Sequence, residues 1–538
     1  MASRHRPYGS IGAIRVQHQG HLIEDFDMGR ALLMGIDVGT TGCKTILVDG
    51  AGNVLESEIE EYPFYSPRHG WAEQDPRDWW DAVVRSIRKL AGSRKDLVSD
   101  LRGIGLSGQM HGLVALDDKG EVIRRAILWN DQRTKKQCGE IYEAVGGITG
   151  LLSYTNNRML PGYTGGKILW IRENEPDNYK KIRKFLNPKD YIRFRLTGHY
   201  ATEVSDASGT GLFDVQTRSW SEPLLEKLSI PRDWAPECSE SPEVSATVSA
   251  QAARDLGLPA GLPVVGGGGD SVIQTLGTGV VRSNVLMTTI GTAGIVSTAL
   301  DTYSPNPDGK LQIFCNVMPS KWHAMGVTLA AGGSMRWARE ALAHTEQEVA
   351  DLCGEDVYSM ISREAARSPR GSGGLIFLPY LQGERCPHTD PDAKGAFIGL
   401  SHNTRKSDLF RSVMEGVIFS FRDVADIFSR LKMEFDYIAT SGGGAQSDVW
   451  RQIHADIFKK RVVTVSGSRE GAAYGAVIVA GVGLGIWDGF QEACSLLKTE
   501  TSNEPETESF PLYDRYFEIY RSYYDLLRES FGRLNANE

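Results

Sequence analysis

The chain has 538 residues, of which 41% are hydrophobic and 24% are charged, with a formal net charge of -9 and a pI near 5.8. This length favours two or more domains, and this composition argues against a disordered or membrane-embedded protein. The acidic balance argues against nucleic acid as a partner, and the sequence contains no apolar run long enough to predict a membrane-spanning helix.

Two features bear on the compartment. Basic residues in the first 30 positions lack an apolar core segment and are followed by acidic ones, so we expect a flexible N-terminal extension over 1–30, with Met28 or Met34 as alternative starts. The seven cysteines are scattered, odd in number and without a C-x-x-C pair. This usage predicts reduced thiols in a cytoplasmic protein and no zinc cluster.

The first recognisable motif is "MGIDVGTTGCKTILV" at 34–48, an apolar strand that turns and resumes as a second strand. Gly39 and Gly42 allow a turn that presents several backbone N–H groups to one anion. Asp37 beside such a turn would repel a phosphate unless a cation lay between them. The segment therefore predicts a phosphate, a divalent metal and Asp37 together, and an ordinary hairpin is the alternative.

The region after this motif has an α/β pattern. Apolar runs predict strands, helical periodicity predicts a helix, and Glu73 and Asp75 ahead of that helix fit capping better than catalysis. The strands are expected at 104–106, 126–128 and 262–265, and the helix at 79–90.

Segment 105–133 predicts a strand, a loop, a strand, a turn and a strand, with polar clusters at strand ends. Met110 and His111 lie in a Gly-flanked loop, where a thioether and an imidazole could line a pocket for a polyol. Trp129 could add an apolar wall at the next strand end. A structural histidine and a capped turn are the alternatives for these residues.

The stretch "LPVVGGGGDSVIQTLGTG" at 262–279 leads a strand through four glycines to Asp270. Aspartate at the start of a helix is commonly an N-cap. An N-cap does not require four glycines, however, and a run of them removes side chains around the carboxylate so that a substrate can approach. We therefore favour Asp270 as a general base for phosphoryl transfer to an alcohol.

The first loop has an echo in the second half of the chain. "MTTIGTAGIVSTA" at 287–299 repeats the Gly-x-x-Gly turn, with Gly291 at the position of Gly39 and Thr289 at that of Asp37. The repeat predicts two related domains that face each other. Only the first loop can hold a cation by a carboxylate, so the second is expected to bind phosphate alone.

Two later segments complete the sequence pattern. "SGGGAQSDVWRQIHADIF" at 441–458 has a Gly-rich junction between a strand and a helix, a weak signal taken alone but a candidate nucleotide contact. Segment 498–510 is expected to be a polar linker. An amphipathic helix whose aromatic stripe is a packing face is then predicted by residues that recur at three- and four-residue steps, which are Tyr513, Tyr516, Tyr520, Tyr524, Leu527 and Phe531.

Taken in order and spacing, a set of motifs over roughly 34–500 resembles the FGGY carbohydrate kinases, and among them those that phosphorylate xylulose. The motifs are "GIDVGTTGCK", "WAEQDPRDWW", "GQMHG", "AILWNDQR", "PGYTGGKILW", "NPKDYIRFRLTG", "SDASGTGLFD", "GGGGDS", "FLPYLQGERCPH", "KGAFIGL", "SGGGAQSDVWRQIHADIF" and "EGAAYGA". The resemblance implies an α/β fold of two actin-like ATPase (ribonuclease H-like) domains with a cleft between them. The expected bounds are 31–280 for the sugar and Mg²⁺/phosphate side, 281–500 for the nucleotide side and 511–535 for the C-terminal helix.

The resemblance also implies roles for individual residues. Asp270 would be the catalytic base, and Mg²⁺ would be held near Asp37 with Asp270 as the second carboxylate. The sugar would contact Met110, His111, Trp129, Asp270 and Ser271. ATP and its phosphates would contact Gly39, Thr40, Thr41, Lys44, Gly291, Thr292, Gly442, Gly443, Gly444 and Ser447.

The reaction that the resemblance implies is ATP-dependent phosphorylation of D-xylulose to D-xylulose 5-phosphate. One departure concerns the sugar, because Ser271 replaces the usual asparagine after the base and cannot offer the paired functions of an amide. A kinase for another ketose or polyol is therefore an alternative, and an actin- or chaperone-like ATPase switch is a second one. The expected partners are the sugar and ATP, without nucleic acid or membrane, and a homodimer is a further expectation.

Overall fold

The computed structural model describes residues 31–535, and the extension expected over 1–30 lies outside them. The elements of the first half follow one another as β1 (Leu32–Val38), β2 (Gly42–Asp49), β3 (Val54–Glu61), β4 (Glu73–Gln74), α1 (Pro76–Ser93), α2 (Lys95–Val98), β5 (Leu101–Gly108), β6 (Val114–Leu116), β7 (Ala126–Ile127), α3 (Lys135–Val145), α4 (Gly147–Thr155), α5 (Thr164–Asn174), α6 (Pro176–Tyr179), β8 (Lys184–Leu186), α7 (Pro188–Thr197), β9 (Ala201–Glu203), α8 (Val204–Ser208), β10 (Phe213–Asp214), β11 (Ser219–Trp220), α9 (Glu222–Lys227), β12 (Glu237–Ser239), β13 (Val244–Thr247), α10 (Ala250–Leu256), β14 (Pro263–Val265), β15 (Gly268–Gly269) and α11 (Asp270–Gly277).

The second half continues with β16 (Val285–Ile290), β17 (Gly294–Leu300), β18 (Gln312–Cys315), β19 (Trp322–Thr328), α12 (Gly332–Leu342), α13 (His344–Cys353), α14 (Val357–Ala365), β20 (Ile376–Leu378), β21 (Ala396–Ile398), α15 (Lys406–Arg430), β22 (Tyr437–Ser441), α16 (Asp448–Phe458), β23 (Arg461–Val465), α17 (Ala472–Gly483), α18 (Phe490–Ser495), β24 (Thr499–Asn503) and α19 (Phe510–Asn535). Short 3₁₀ helices lie at Arg232–Trp234, Ser372–Gly374, Gly443–Gln446, Ser466–Arg469 and Thr507–Ser509.

Two sheets repeat one topology. The strand order β3-β2-β1-β5-β14-β13 in the first sheet matches β19-β17-β16-β22-β23-β24 in the second, with β15 and β18 as additions. In both, the first two pairings along these orders are antiparallel, the next two are parallel and the last is antiparallel. The α/β class and the duplication predicted from the two Gly-rich loops are therefore confirmed.

The two halves meet through closely packed helices. Helix α17, from the second half, lies against β1 and β5 of the first sheet and crosses α11. A Cβ atom on Gly105 would lie 1.9 Å from the carbonyl oxygen of Ala476, and one on Gly475 would lie 2.2 Å from that of Ile273. Glycine at these positions lets the backbones approach closely, so α11, which begins with Asp270, sits directly between the halves.

The C-terminal region differs in part from the expectation. The linker predicted over 498–510 is wrong, because β24 pairs with β23 at the edge of the second sheet. The aromatic helix forms as α19, and its buried stripe consists of Tyr513, Phe517, Tyr520, Tyr524 and Phe531. Phe517 replaces the predicted Tyr516, which is only partly buried.

The aromatic face of α19 is covered within the chain. The hydroxyl of Tyr513 donates to Glu415 on α15, 2.8 Å away, and the hydroxyls of Tyr520 and Tyr380 lie 3.0 Å apart. This face therefore gives no support to the expected homodimer. None of the helices within residues 31–535 combines the length and the apolar composition needed to cross a bilayer.

Candidate active site

The two Gly-rich loops occupy equivalent positions, at the turns between β1 and β2 and between β16 and β17. In the first sheet Asp37 pairs with Ser107 on β5, and the hydroxyl of Ser107 donates to Asp37 Oδ1 over 2.8 Å. In the second sheet Thr289 pairs with Ser441 on β22, and the two hydroxyls lie 3.1 Å apart. The carboxylate of Asp37 thus has a neutral hydroxyl as its counterpart in the second loop.

Side chains hold the carbonyl groups of the first loop. The hydroxyl of Tyr62 and the amide of Gln109 donate to the carbonyl of Gly39, and Gln74 Nε2 donates to that of Thr40 over 2.8 Å. The N–H groups of Thr40 and Thr41 form no hydrogen bond within the described residues 31–535. The loop therefore has its acceptors occupied and its donors available, as an anion site requires.

The second loop is held in a similar way by the N-terminus of α12. The N–H of Gly332 donates to the carbonyl of Gly291 over 2.6 Å, and the N–H groups of Ala331 and Gly333 donate to that of Thr292. The hydroxyl of Thr292 accepts from Arg336 Nη2 at 3.1 Å. The second half therefore contains a second turn of this kind, with its carbonyls again hydrogen-bonded by the chain.

Two of the predicted contact residues have protein partners. Trp129, expected at the sugar, donates its indole N–H to the hydroxyl of Thr40 over 2.9 Å and therefore supports the first loop. Lys44, expected at phosphate, forms an ion pair with Glu470 at 2.9 Å and donates to the carbonyl of Arg469 at 3.2 Å. Lys44 therefore ties the first loop to the segment that precedes α17.

The Gly-rich junction after β22 packs against the second loop. A Cβ atom on Gly442, which has φ +87°, would lie 2.7 Å from the carbonyl oxygen of Ile290, and one on Gly444 would overlap the Ile290 side chain at 2.3 Å. A Cβ atom on Gly443 would meet no atom within 4 Å. Ser447 caps α16, accepting the N–H of Trp450 at 3.2 Å. Of these four predicted contacts, Gly443 is the one beside open space.

Asp270 lies across β5 from Asp37. Ser107 on β5 pairs with Asp37 on one side and with Gly268 on the other, and the two carboxylates lie near enough for the charge of Asp37 to act on Asp270. Burial raises the pKa of Asp270 to about 7, and the Asp37 charge adds to the rise, against the lowering effect of the Ser271 and Met110 backbone N–H groups. Burial also raises the pKa of Asp37, while the hydrogen bond from Ser107 opposes it.

The N-cap alternative for Asp270 is wrong. The N-cap of α11 is Gly269, and Asp270 is the first helical residue, with its Oδ1 accepting the N–H of Ser271 at 2.7 Å. The four glycines also do not clear space for a substrate as predicted. A Cβ atom on Gly267 would lie 2.0 Å from the carbonyl oxygen of Leu106, and one on Gly269 would lie 2.6 Å from Met110 Cγ. The run is glycine because other parts of the chain pack against it.

Met110 and His111 lie beside the candidate base. The hydroxyl of Ser271 lies 3.1 Å from Met110 Sδ. His111 has φ +70°, and its Nδ1 lies 2.6 Å from the carbonyl oxygen of Gly209, which can only accept, so Nδ1 carries the proton. Burial lowers the pKa of His111 to about 3, so the ring is neutral and its Nε2 is an acceptor. The structure thus brings Met110, His111, Asp270 and Ser271 together.

Sequence reasoning missed several residues that hold the site. Besides Tyr62, Gln74 and Gln109, these are Tyr163, stacked on His111 with ring centroids 4.4 Å apart, and Lys167, whose ammonium donates to the His111 carbonyl over 2.7 Å. Lys167 and Tyr163 belong to the quoted "PGYTGGKILW" motif, which was the available signal.

Replacing Gln74 by leucine should weaken the first loop. Its amide donates to Thr40 and accepts from Trp79 Nε1 at 3.1 Å and from Gln109 Nε2 at 2.9 Å, so the change leaves two buried donors unpaired. We expect a loss of about 2–3 kcal/mol in the free energy of unfolding and a several-fold weaker affinity for ATP. Urea denaturation and calorimetric titration measure these two quantities.

Asp75→Ala is the matched control, because Asp75 is the adjacent residue and its carboxylate caps α1 without contacting the loop. It should cost about 1 kcal/mol of stability and leave the ATP affinity unchanged. Equal ATP affinities for both variants and the wild type would contradict the role given to Gln74.

Comparison with known proteins identifies relatives over most of the chain. The model of the N-terminal domain of the FGGY family of carbohydrate kinases matches residues 32–277, and that of its C-terminal domain matches residues 286–484. A xylulose kinase of Staphylococcus xylosus is 35% identical over 496 residues, which cover 92% of this chain and 100% of the relative.

Two further matches bear on fold and substrate. A gluconokinase of Bacillus subtilis is 30% identical over 93% of this chain and 97% of its own length. The crystal structure of a xylulose kinase from Rhodospirillum rubrum superposes with a TM-score of 0.85 at 29% identity, covering 93% of this chain and 100% of that one.

Proposed function

The chain belongs to the FGGY family of carbohydrate kinases, and from this premise we propose that it transfers the γ-phosphoryl group of ATP to the terminal hydroxyl of D-xylulose, giving D-xylulose 5-phosphate. The observation that carries the proposal is the placement of Asp37, at the first loop, and Asp270 on either side of β5, near enough for the charge of one to act on the other. Relatives at 34–37% identity that bear the name xylulose kinase support the choice of sugar.

The mechanism follows from the positions of these groups. Asp270, as a carboxylate, accepts the proton of the sugar hydroxyl as that oxygen attacks the γ-phosphorus. The N–H groups of Thr40 and Thr41 in the first loop, and those of the second loop at Gly291 and Thr292, stabilise the negative charge on the phosphates. Met110 and the neutral His111 contact the sugar. Closure of the two halves excludes water, which would otherwise compete as an acceptor.

The residues around Asp37 fit a magnesium ion. Asp37 Oδ1 accepts the hydrogen bond from the Ser107 hydroxyl. Asp37 Oδ2 lies on the side of the first loop, 4.0 Å from the position that a Cβ atom on Gly39 would take. No group of three or more His, Cys, Asp or Glu side chains within residues 31–535 forms a cage for a metal. Magnesium typically uses one or two carboxylates plus water and substrate phosphates, so Asp37 would hold it with Asp270 as the second carboxylate. When bound, the ion would neutralise charge on the phosphates.

The nucleotide would lie on the second half. Gly443 borders open space at the β22 junction, and the neighbouring Gly442 and Gly444 set the backbone that a base or ribose would approach. Ser447 supports this junction as the cap of α16. Family membership favours this kinase arrangement over an ATPase switch that acts on a protein partner.

A kinase for another ketose or polyol is the second candidate. It is favoured by Ser271, whose hydroxyl contacts Met110 where the family's usual asparagine would offer an amide. We place the reaction in the cytoplasm, on the ground that the seven cysteines form no disulfide.

A sugar panel tests the proposed function. ADP release with magnesium and ATP should rise strongly with D-xylulose and much less with D-ribulose, glycerol, D-gluconate or xylitol. A larger stimulation by one of the other compounds would replace D-xylulose as the substrate. ADP release that is indifferent to all of them would overturn the assignment as a sugar kinase.

The reaction should depend on pH through Asp270. Only the ionised carboxylate can accept the proton, and its pKa in the free protein is raised to about 7. With both substrates well below saturation, kcat/KM reports on the free enzyme and should therefore rise as the pH increases through neutrality, levelling off above about pH 8. A profile that is flat between about pH 5 and pH 8 would contradict this prediction.

A further inference from the structure

Strand β18 of the second half lies against the sugar side of the first half. The amide of Asn157 donates to the carbonyl of Ile313 over 2.6 Å, and the N–H of Ile313 donates to Asn157 Oδ1 over 2.8 Å. The N–H of Cys315 donates to the hydroxyl of Ser208 over 3.0 Å. These three bonds fix the position of β18 relative to His111 and its neighbours.

Gln312 and Phe314 lie on the same face of β18, because residues two apart on a strand share a face. The Phe314 ring lies 6.0 Å from the His111 ring between centroids, so this face is turned to the candidate sugar pocket. Gln312 is only 8% exposed, and both its amide oxygen and its amide nitrogen lack a hydrogen-bond partner within residues 31–535.

Further polar groups without partners meet Gln312 there. The ring of Tyr163 stacks on that of His111, and its buried hydroxyl lies beside the Gln312 amide, in a geometry that falls short of a full hydrogen bond, with no other partner within the described chain. Arg385, on the segment after β20, lies close enough for its charge to act on both His111 and Tyr163. Its guanidinium group has no hydrogen bond or ion pair with another of residues 31–535.

Buried polar groups are normally hydrogen-bonded, so unpartnered groups from both halves that converge on one point indicate a polar ligand. The Gln312 amide offers a donor and an acceptor, Tyr163 offers a hydroxyl, and His111 Nε2 offers an acceptor. This mixture matches neutral hydroxyl groups, each of which donates and accepts, better than a carboxylate, which only accepts.

We propose that Gln312, together with Tyr163, binds a sugar hydroxyl other than the one being phosphorylated, and that Gln312 is a specificity-determining residue supplied by the second half. This inference rests on the proposed function. It makes sugar recognition depend on the apposition of the two halves, because His111 and Tyr163 belong to one and Gln312 to the other. Arg385 adds a further donor from the second half.

The test uses Gln312→Leu and Tyr163→Phe in the full chain, each of which removes polar atoms whose one polar neighbour within residues 31–535 is the other side chain of the pair. Each variant should unfold at a nearly unchanged or higher urea concentration, because at most this weak contact is lost. Each should nevertheless lower kcat/KM for D-xylulose about 10-fold or more, mainly through KM, and leave the affinity for ATP unchanged. Gln382→Leu, at an exposed glutamine near Arg385, is the matched control and should change neither quantity.

Comparing kcat/KM for D-xylulose, D-ribulose and 1-deoxy-D-xylulose identifies the sugar hydroxyl that Gln312 binds. The wild-type preference among these three sugars should shrink in Gln312→Leu, whereas a merely structural role would lower activity on all three equally. Unchanged preferences, or activity lost in step with stability in both variants, would overturn the inference and leave the proposed function standing. A wild-type protein that phosphorylates none of the sugars would overturn both.

Discussion

Replacing Asp270 by asparagine should lower the turnover of D-xylulose by about 10²–10⁴-fold, because the amide cannot accept the hydroxyl proton. The fold should persist, since asparagine Oδ1 can still accept the N–H of Ser271 that Asp270 accepts at 2.7 Å. The change also removes the negative charge that faces Asp37 across β5. The affinity for ATP should be kept, because the proposed ATP contacts lie in the two loops and at the β22 junction rather than at Asp270. Sugar-dependent ADP release and calorimetric titration with ATP measure the two quantities separately.

Asp117→Asn is the control for this experiment. Asp117 accepts the N–H groups of Lys119 and Glu121 in an exposed turn, which asparagine can also do. That variant should turn over D-xylulose at the wild-type rate. If Asp270→Asn kept more than about a tenth of the wild-type turnover, another group would have to be the base.

The parts of this site that sequence analysis predicts are those encoded locally. A Gly-x-x-Gly turn between two apolar strands forms a hairpin wherever the strands pair, and Asp37 two residues before it must lie at its mouth. The meeting of Asp37 with Asp270 follows from parallel strands, because β1 and β15 both flank β5 and end at the same edge of the sheet.

The supporting contacts are not local and have no comparable signal. Tyr62, Gln74 and Gln109 reach the first loop from 23, 34 and 70 residues away, and glutamine and tyrosine are common in many other settings. The four glycines before Asp270 were correctly singled out but wrongly explained. Their neighbours, such as Leu106 and Met110, approach only in the folded chain.

Strand β24 was missed for a physical reason. Thr499–Asn503 lies at the edge of the second sheet, where most of its residues are exposed or partly exposed, so it carries no apolar alternation. Its pairing with β23 depends on backbone hydrogen bonds that any sequence can make. A polar edge strand is difficult to distinguish from a linker by composition.

Replacing Lys189 by methionine should destabilise the protein more than any surface charge change. Lys189 is fully buried, with Nζ 2.5 Å from Asp190 Oδ1 and 3.6 Å from both Glu203 Oε1 and Asp206 Oδ2. Burial alone would lower the pKa of Lys189, but the neighbouring carboxylates, Asp190 first, outweigh it and raise the pKa. Burial raises the pKa of Asp206 well above its usual range, so Asp206 is the member of the cluster that burial favours in the neutral form. Methionine would leave Arg193, 3.5 Å from Asp190 Oδ1, as the remaining buried cation of this cluster, so its carboxylates would be only partly compensated. The expected cost is about 3–5 kcal/mol in the free energy of unfolding.

The same cluster supports the candidate base. Glu203 accepts the hydroxyl of Ser205 at 2.8 Å, and the Ser205 oxygen accepts the N–H of Gly269 at 3.0 Å, directly before Asp270. A repositioned Glu203 would therefore release the start of α11. We expect Lys189→Met to lower turnover at temperatures where it is still folded, in addition to its effect on stability.

Lys136→Met is the control that distinguishes the loss of the buried Lys189 from the loss of an exposed lysine. Lys136 pairs with Glu173, but its side chain is 64% exposed, so its removal should leave the free energy of unfolding nearly unchanged. Urea denaturation of the two variants gives the comparison. Equal stabilities would mean that the buried cluster tolerates the loss of Lys189. The contacts from Lys189 through Glu203 and Ser205 would then not stabilise the start of α11.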